Sequence, residues 1–144
     1  MRVLATAAVF LLLTACGEQV REAYPTWDEA RRAGGVERGW IPAFVPSSAR
    51  EISDSHDLDS NRQTLRFKVP PSEVPAMVEG LGSVSMENEG AAAQLLEEQG
   101  FPPASETYVV CSRPLNGALV VDRESGRAVY STEVGWADED CAGT

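Results

Sequence analysis

Residues 107–132 read Thr-Tyr-Val-Val-Cys-Ser-Arg-Pro-Leu-Asn-Gly-Ala-Leu-Val-Val-Asp-Arg-Glu-Ser-Gly-Arg-Ala-Val-Tyr-Ser-Thr. Three short runs rich in Val, Tyr and Leu alternate with Asn-Gly and Ser-Gly, the dipeptides that close tight reversals. The spacing predicts strands over Thr107–Ser112, Ala118–Arg123 and Arg127–Thr132, joined at Asn116-Gly117 and Ser125-Gly126. Connections this short permit only antiparallel neighbours, so the stretch reads as a three-strand meander.

Working toward the amino terminus, Gln63–Val69 places Leu65, Phe67 and Val69 in phase against Thr64, Arg66 and Lys68, which predicts a strand with one buried face. Arg50–Asp57 reads as its partner across the polar turn Leu58–Arg62. Between these strands and the meander, Ser72 can cap a helix reaching Leu81 with Pro75 in its first turn, and the Ala- and Leu-rich run Glu87–Gln99 predicts another, stopped by Gly100. Upstream, Thr26-Trp27-Asp28-Glu29 has the form of a capping box, and Gly34-Gly35 ends the helix it opens. The Pro-rich run Trp40–Pro46 reads as extended chain packed on the core, and Glu133–Thr144 as an acidic, irregular tail. The sum is one α+β domain over residues 26–144, with an antiparallel sheet of about five strands and about three helices over one of its faces.

The amino terminus carries a different signal. After Met1-Arg2, the chain is apolar from Val3 to Leu13 except at Thr6, the pattern of a secretory signal over residues 1–15. Eleven residues at ~1.5 Å each cover about half of a ~30 Å hydrocarbon core, too short for a permanent span. The segment closes on Leu13-Thr14-Ala15-Cys16, which resembles the lipobox of bacterial lipoproteins: an aliphatic residue, two small ones, then cysteine. The resemblance implies cleavage after Ala15 and acylation of Cys16, with residues 16–25 as the lipidated cysteine and its tether. It implies a membrane partner through that anchor and a place in the bacterial cell envelope. Gly17 follows the cysteine in place of the aspartate that resembles an inner-membrane retention signal. In a cell with two membranes, this points to the outer membrane, facing the periplasm.

Without Arg2, 11 basic side chains face 22 acidic ones. Such a balance lacks the basic footprint nucleic acid requires and repels anionic headgroups, leaving attachment to the lipid. With Cys16 acylated, Cys111 and Cys141 remain, an even pair in an oxidising compartment, and are expected to form a disulfide tying the C-terminal tail to the fold.

The segment Asp54-Ser55-His56-Asp57-Leu58-Asp59-Ser60-Asn61 is the densest in potential chemistry. Asp57, Asp59 and Asn61 copy the first oxygen positions of a calcium loop, but Arg62 and Lys68 stand where glycine and a bidentate glutamate belong. One histidine with both remaining cysteines paired is too few ligands for zinc. The expectation is therefore no metal and no cofactor, with a hairpin corner whose Asp and Asn side chains satisfy its own backbone. His56, the one histidine of the chain, could act as a base beside Asp54 or Asp57, yet no Gly-x-Ser-x-Gly elbow accompanies it. The glycines at 34–39 and 80–82 lack the residues that complete phosphate- or dinucleotide-binding loops.

Arg38-Gly39-Trp40-Ile41-Pro42, Pro46-Ser47-Ser48-Ala49 and the His56–Asn61 corner together resemble a set of small bacterial lipoproteins and related proteins labelled YbbD-head-domain-like, over roughly residues 24–70. The resemblance brings no activity with it, but groups Trp40, the prolines and His56 in one structural unit. The functional expectation is a non-enzymatic envelope interaction module with a protein partner. The alternatives are a small-molecule binding module at the membrane, and a small hydrolase using His56 with Asp54 or Asp57. A pocket lined by Trp40 or Trp136 would favour a ligand, and a flat apolar patch a protein.

Overall fold

The computed structural model describes residues 18–112 and 115–142. The signal segment 1–15 and the acylation of Cys16 lie outside them. The described chain builds one antiparallel sheet of seven strands: β1 (Gln19–Thr26), β2 (Arg50–Asp57), β3 (Gln63–Lys68), β4 (Gly82–Ser83), β5 (Glu106–Val110), β6 (Gly117–Val121) and β7 (Arg127–Ser131). Their order across the sheet is β1-β2-β3-β7-β6-β5-β4. Four α-helices accompany them: α1 (Trp27–Arg32), α2 (Val74–Val78), α3 (Glu89–Glu98) and α4 (Trp136–Ala142).

The meander and the β2–β3 hairpin stand where the alternation places them. Two strands join the expected five at the edges. Residues 19–25, read as part of the tether, form strand β1 together with Thr26, pairing along β2 from Gln19↔Asp57 to Thr26↔Arg50. Val20, Glu22 and Tyr24 alternate toward the covered face but are only half-buried, so the strand is held by its ladder more than by its side chains. β4 is two residues long and pairs with Val109 and Tyr108. The acidic tail also has order: Glu133–Thr144 contains α4, whose Ala137 is fully buried.

The helices lie on both faces, which corrects the one-faced arrangement. On β6, Leu119 and Val121 join a cluster with Leu65, Phe67 and Tyr130 that is covered by α1, α2 and the 33–49 loop. Ala118 and Val120 point the other way, against Leu95 of α3, Phe101 and Trp136 of α4. A strand covered on both sides reads as an unbroken apolar run, and β6 is buried at every position. Fully burying one such Leu or Phe contributes about 1.5–3 kcal/mol.

The first helix forms as its capping box requires, the Thr26 hydroxyl accepting from the Glu29 amide at 3.3 Å. The expected Ser72–Leu81 helix is shorter: Pro71–Glu73 is a 3-10 turn, α2 occupies only Val74–Val78, and the Ser72 side chain makes no cap. Gly117 does not sit in a two-residue reversal. It opens β6 opposite Val110, where a Cβ would stand 2.5 Å from the Ser131 carbonyl oxygen, so close strand approach is what demands glycine. The β6–β7 turn is built on Asp122, whose carboxylate accepts from the Glu124 amide and the Ser125 hydroxyl, and closes through Gly126 at φ +71°. Cys111 and Cys141 are bonded, with Cα atoms 5.5 Å apart, so the disulfide fastens α4 to the end of β5.

Candidate functional site

Strand periodicity sets the site. Residues two apart on a strand share a face, so Ile52, Asp54 and His56 of β2 all point to the covered side. Gln63, in phase with Leu65 and Phe67 on β3, lies directly opposite His56. Three polar side chains are thereby buried at one end of the sheet, with Asp54 1% and His56 4% exposed. Buried polar groups are costly unless paired, and these pair with one another. His56 Nδ1 lies 2.5 Å from Asp54 Oδ2, and Gln63 Nε2 donates to Asp54 Oδ1 at 2.7 Å. Gln63 Nε2 also donates to the Trp40 carbonyl, tying the 33–49 loop to the sheet. Burial pushes the Asp54 carboxyl above its ordinary value, against the opposing pull of the hydrogen bonds from Gln63 and His56.

The loop above is fixed by its own backbone. The Trp40 and Ile41 amides both donate to the Gly35 carbonyl, and Gly39 turns the chain at φ +80°. This lays the Trp40 ring on His56, with centroids 3.8 Å apart, and brings the Arg38 guanidinium to 4.0 Å from the Trp40 centroid. Beside the stacked rings is a cavity of about 750 Å³. Val36, Ile41, Phe44, Leu81, Val110, Leu115 and Tyr130 supply apolar wall; Arg38, His56, Asn61, Gln63, Ser112 and Thr132 supply polar groups. None of the carboxylates is among the described lining residues. Among the described residues His56 Nε2 has no hydrogen-bond partner.

The expected site residues therefore divide. Trp40, His56 and Asn61 meet at the cavity, whereas Asp57 and Asp59 belong to the turn beside it. Asp57 Oδ1 accepts from the Ser60 amide at 2.8 Å, the Asp59 amide at 3.0 Å and the Ser60 hydroxyl at 3.0 Å. The bonds from Ser60 hold this exposed carboxyl below its ordinary range. Asn61 takes φ +56°, a conformation it tolerates better than most side chains. The acid beside His56 is Asp54; Asp57, one position on, points to the other side of the strand. Trp136 packs under α3 in the second core and has no part in the cavity. Among the described residues no three His, Cys, Asp or Glu side chains converge as metal ligands. Gln63, Arg38, Tyr130 and Thr132 escaped the sequence reading. Gln63 alone carried a signal, being in phase with Leu65 and Phe67 while polar.

No curated protein and no solved structure matches the chain. The family model of the YbbD head domain matches residues 18–68, about a third of the sequence, so that the stretch from β1 to the end of β3, with Trp40, Asp54 and His56 inside it, is similar to that domain.

Proposed function

We propose that the chain is a non-enzymatic ligand-binding module of the bacterial cell envelope, held on a membrane surface by lipid on Cys16. The observation that carries this reading is the cavity in which Trp40 lies on His56, a buried imidazole whose Nε2 has no partner among the described residues. Its volume falls in the ~300–1,000 Å³ range of small-molecule sites, and a mostly apolar wall with a few convergent polar groups is their usual chemistry. A protein partner, the sequence's first expectation, has less support. Among the described residues the exposed large hydrophobics are Leu58 and Met86, single side chains on different loops. A hydrolase reading has less support: it would need a hydroxyl or thiol bonded to His56 Nε2, and among the described residues that atom has no such partner.

Fractions of an envelope extract, assayed by Trp40 fluorescence and by melting, test the reading. Ala43, exposed at the cavity wall, gives an occluding variant, Ala43→Trp, that leaves the core intact. A ligand at a hundredfold excess over Kd should stabilise the wild type by about 2.7 kcal/mol and the occluded variant little. If no fraction distinguishes the two proteins, the proposal is wrong.

A further inference from the structure

The strand register locates the cavity relative to the anchor. β1 runs antiparallel to β2 with Gln19 opposite Asp57 and Val20 opposite His56, and the Glu18 carbonyl accepts from the Leu58 amide at 3.2 Å. His56 is one residue from the end of β2, Asn61 lies in the next turn, Thr132 follows β7, and Ser112 and Leu115 lie between β5 and β6. All five line the cavity, and all sit at the end of the sheet where β1 begins. Glu18 is two residues from Cys16, and two residues of chain reach at most about 7 Å. Leu58, one of the two large hydrophobics exposed among the described residues, is on the turn that touches Glu18. An anchor at Cys16 thus brings the end of the sheet that lines the cavity, and an exposed leucine, to the bilayer together.

We propose that the cavity takes the acyl chain of a bilayer amphiphile. The inference rests on the ligand-binding reading and on acylation of Cys16, and adds to them the ligand's chemistry and its source. Phe44, Leu81, Val110, Leu115 and Tyr130 receive the hydrocarbon. The buried imidazole, which already gives Nδ1 to Asp54, offers Nε2 to a polar group at the head of the chain. Nearness to the lipid surface gives a sparingly soluble ligand a route that avoids water.

The test is a series of straight-chain alkanols from six to twelve carbons, titrated below their solubility limits against the full chain carrying Cys16→Ser and read by Trp40 fluorescence. Affinity should tighten about threefold to fourfold per added methylene, as transfer of hydrocarbon from water requires, until the cavity is full. Ala43→Trp should abolish the binding, and Trp40→Phe should abolish the signal but not calorimetrically measured binding. A flat dependence on chain length, or binding unaffected by Ala43→Trp, overturns the inference. Alkanols that fail to bind while a water-soluble envelope fraction shifts the melt overturn the acyl ligand but leave the binding module standing. Silence from both removes both. The acylated wild type should bind like the Cys16→Ser chain. If it does not, the occupant is the protein's own anchor, and the bilayer source is wrong.

Discussion

His56 Nδ1 and Asp54 Oδ2 approach to 2.5 Å on the covered face of the sheet, so an acid and an imidazole share one buried site two residues apart on the same strand. Burial raises the Asp54 carboxyl, so the folded state holds that proton more tightly than the unfolded chain does. The contribution is fully present below the ordinary value of 3.8 and is lost as pH rises through the folded value. The Asp54→Asn variant, neutral throughout, should gain stability relative to wild type as pH rises from below 3.8 toward neutrality. Urea titrations at stepped pH on both proteins measure this difference, to which their other carboxylates contribute equally. A difference that shrinks with pH would contradict the assignment.

The Cys111–Cys141 bond closes a separation of 30 residues and is expected to contribute roughly 3–4 kcal/mol in the chain-entropy model. Alkylation of unfolded, unreduced protein should label neither cysteine. The Cys111→Ser, Cys141→Ser double variant should lose stability in that range, with hydrogen exchange rising first in α4. A double variant as stable as wild type would mean that the Ala137 contacts and the bond from Asn116 to Asp138 hold the helix unaided.

At the hairpin corner, Asp57→Ala removes an acceptor for two amides and a hydroxyl and should cost about 1–2 kcal/mol. Asn61→Gly should be close to neutral at φ +56°, whereas Asn61→Val should cost about 1–2 kcal/mol through strain. Calcium or zinc should leave the melting temperature unchanged. A metal-dependent rise lost in Asp57→Ala would restore the metal-loop reading.

Gly126→Ala should be the most damaging alanine substitution among the described glycines. Its Cβ would stand 1.8 Å from the Val69 carbonyl oxygen, at φ +71°, where the Val69 amide donates to the Gly126 carbonyl at 2.9 Å. A loss of at least about 3 kcal/mol follows from backbone strain together with a displaced contact between β3 and β7. Soluble expression and a denaturant midpoint check it; a midpoint within error of wild type would refute it.

The anchor has its own test. Cys16→Ser should release the protein from membrane fractions, and the intact mass of the wild-type membrane form should correspond to an acylated chain beginning at residue 16. Any other amino terminus would refute the lipoprotein reading.

Sequence alone located the central strands because Leu65, Phe67 and the β6 run carry their burial in their composition. β1 stayed hidden because its inward positions include Glu22 and its apolar residues are only half covered. Tail residues of α4 hid in the same way: Asp138, Glu139 and Asp140 dominate, and the helix docks through Trp136 and Ala137 on a second layer that the meander's pattern did not announce. At the site, grouping Trp40 with His56 came from the resemblance and matches the stacked rings. Choosing Asp54 over Asp57 was within reach of strand alternation. The wall formed by Tyr130, Val110 and Leu115 was not, because it depends on β7 coming beside β3 from about sixty residues away.

The stretch similar to the YbbD head domain stops at Lys68, in the middle of the sheet: β3 has β2 on one side and β7, from outside that stretch, on the other. The stacked rings and their acid come from one part of the chain, and Leu81, Val110, Leu115 and Tyr130 from the other. Cut out alone, residues 18–68 would present β3 as a raw edge, and Leu65 and Phe67 would lose the part of their cover that α2, β6 and β7 supply. Joined to a different partner sequence, they would keep the same aromatic roof over a different floor. The chamber is thus shared between two lengths of chain, which meet along the β3–β7 ladder and where Phe44 sets its ring against Tyr130.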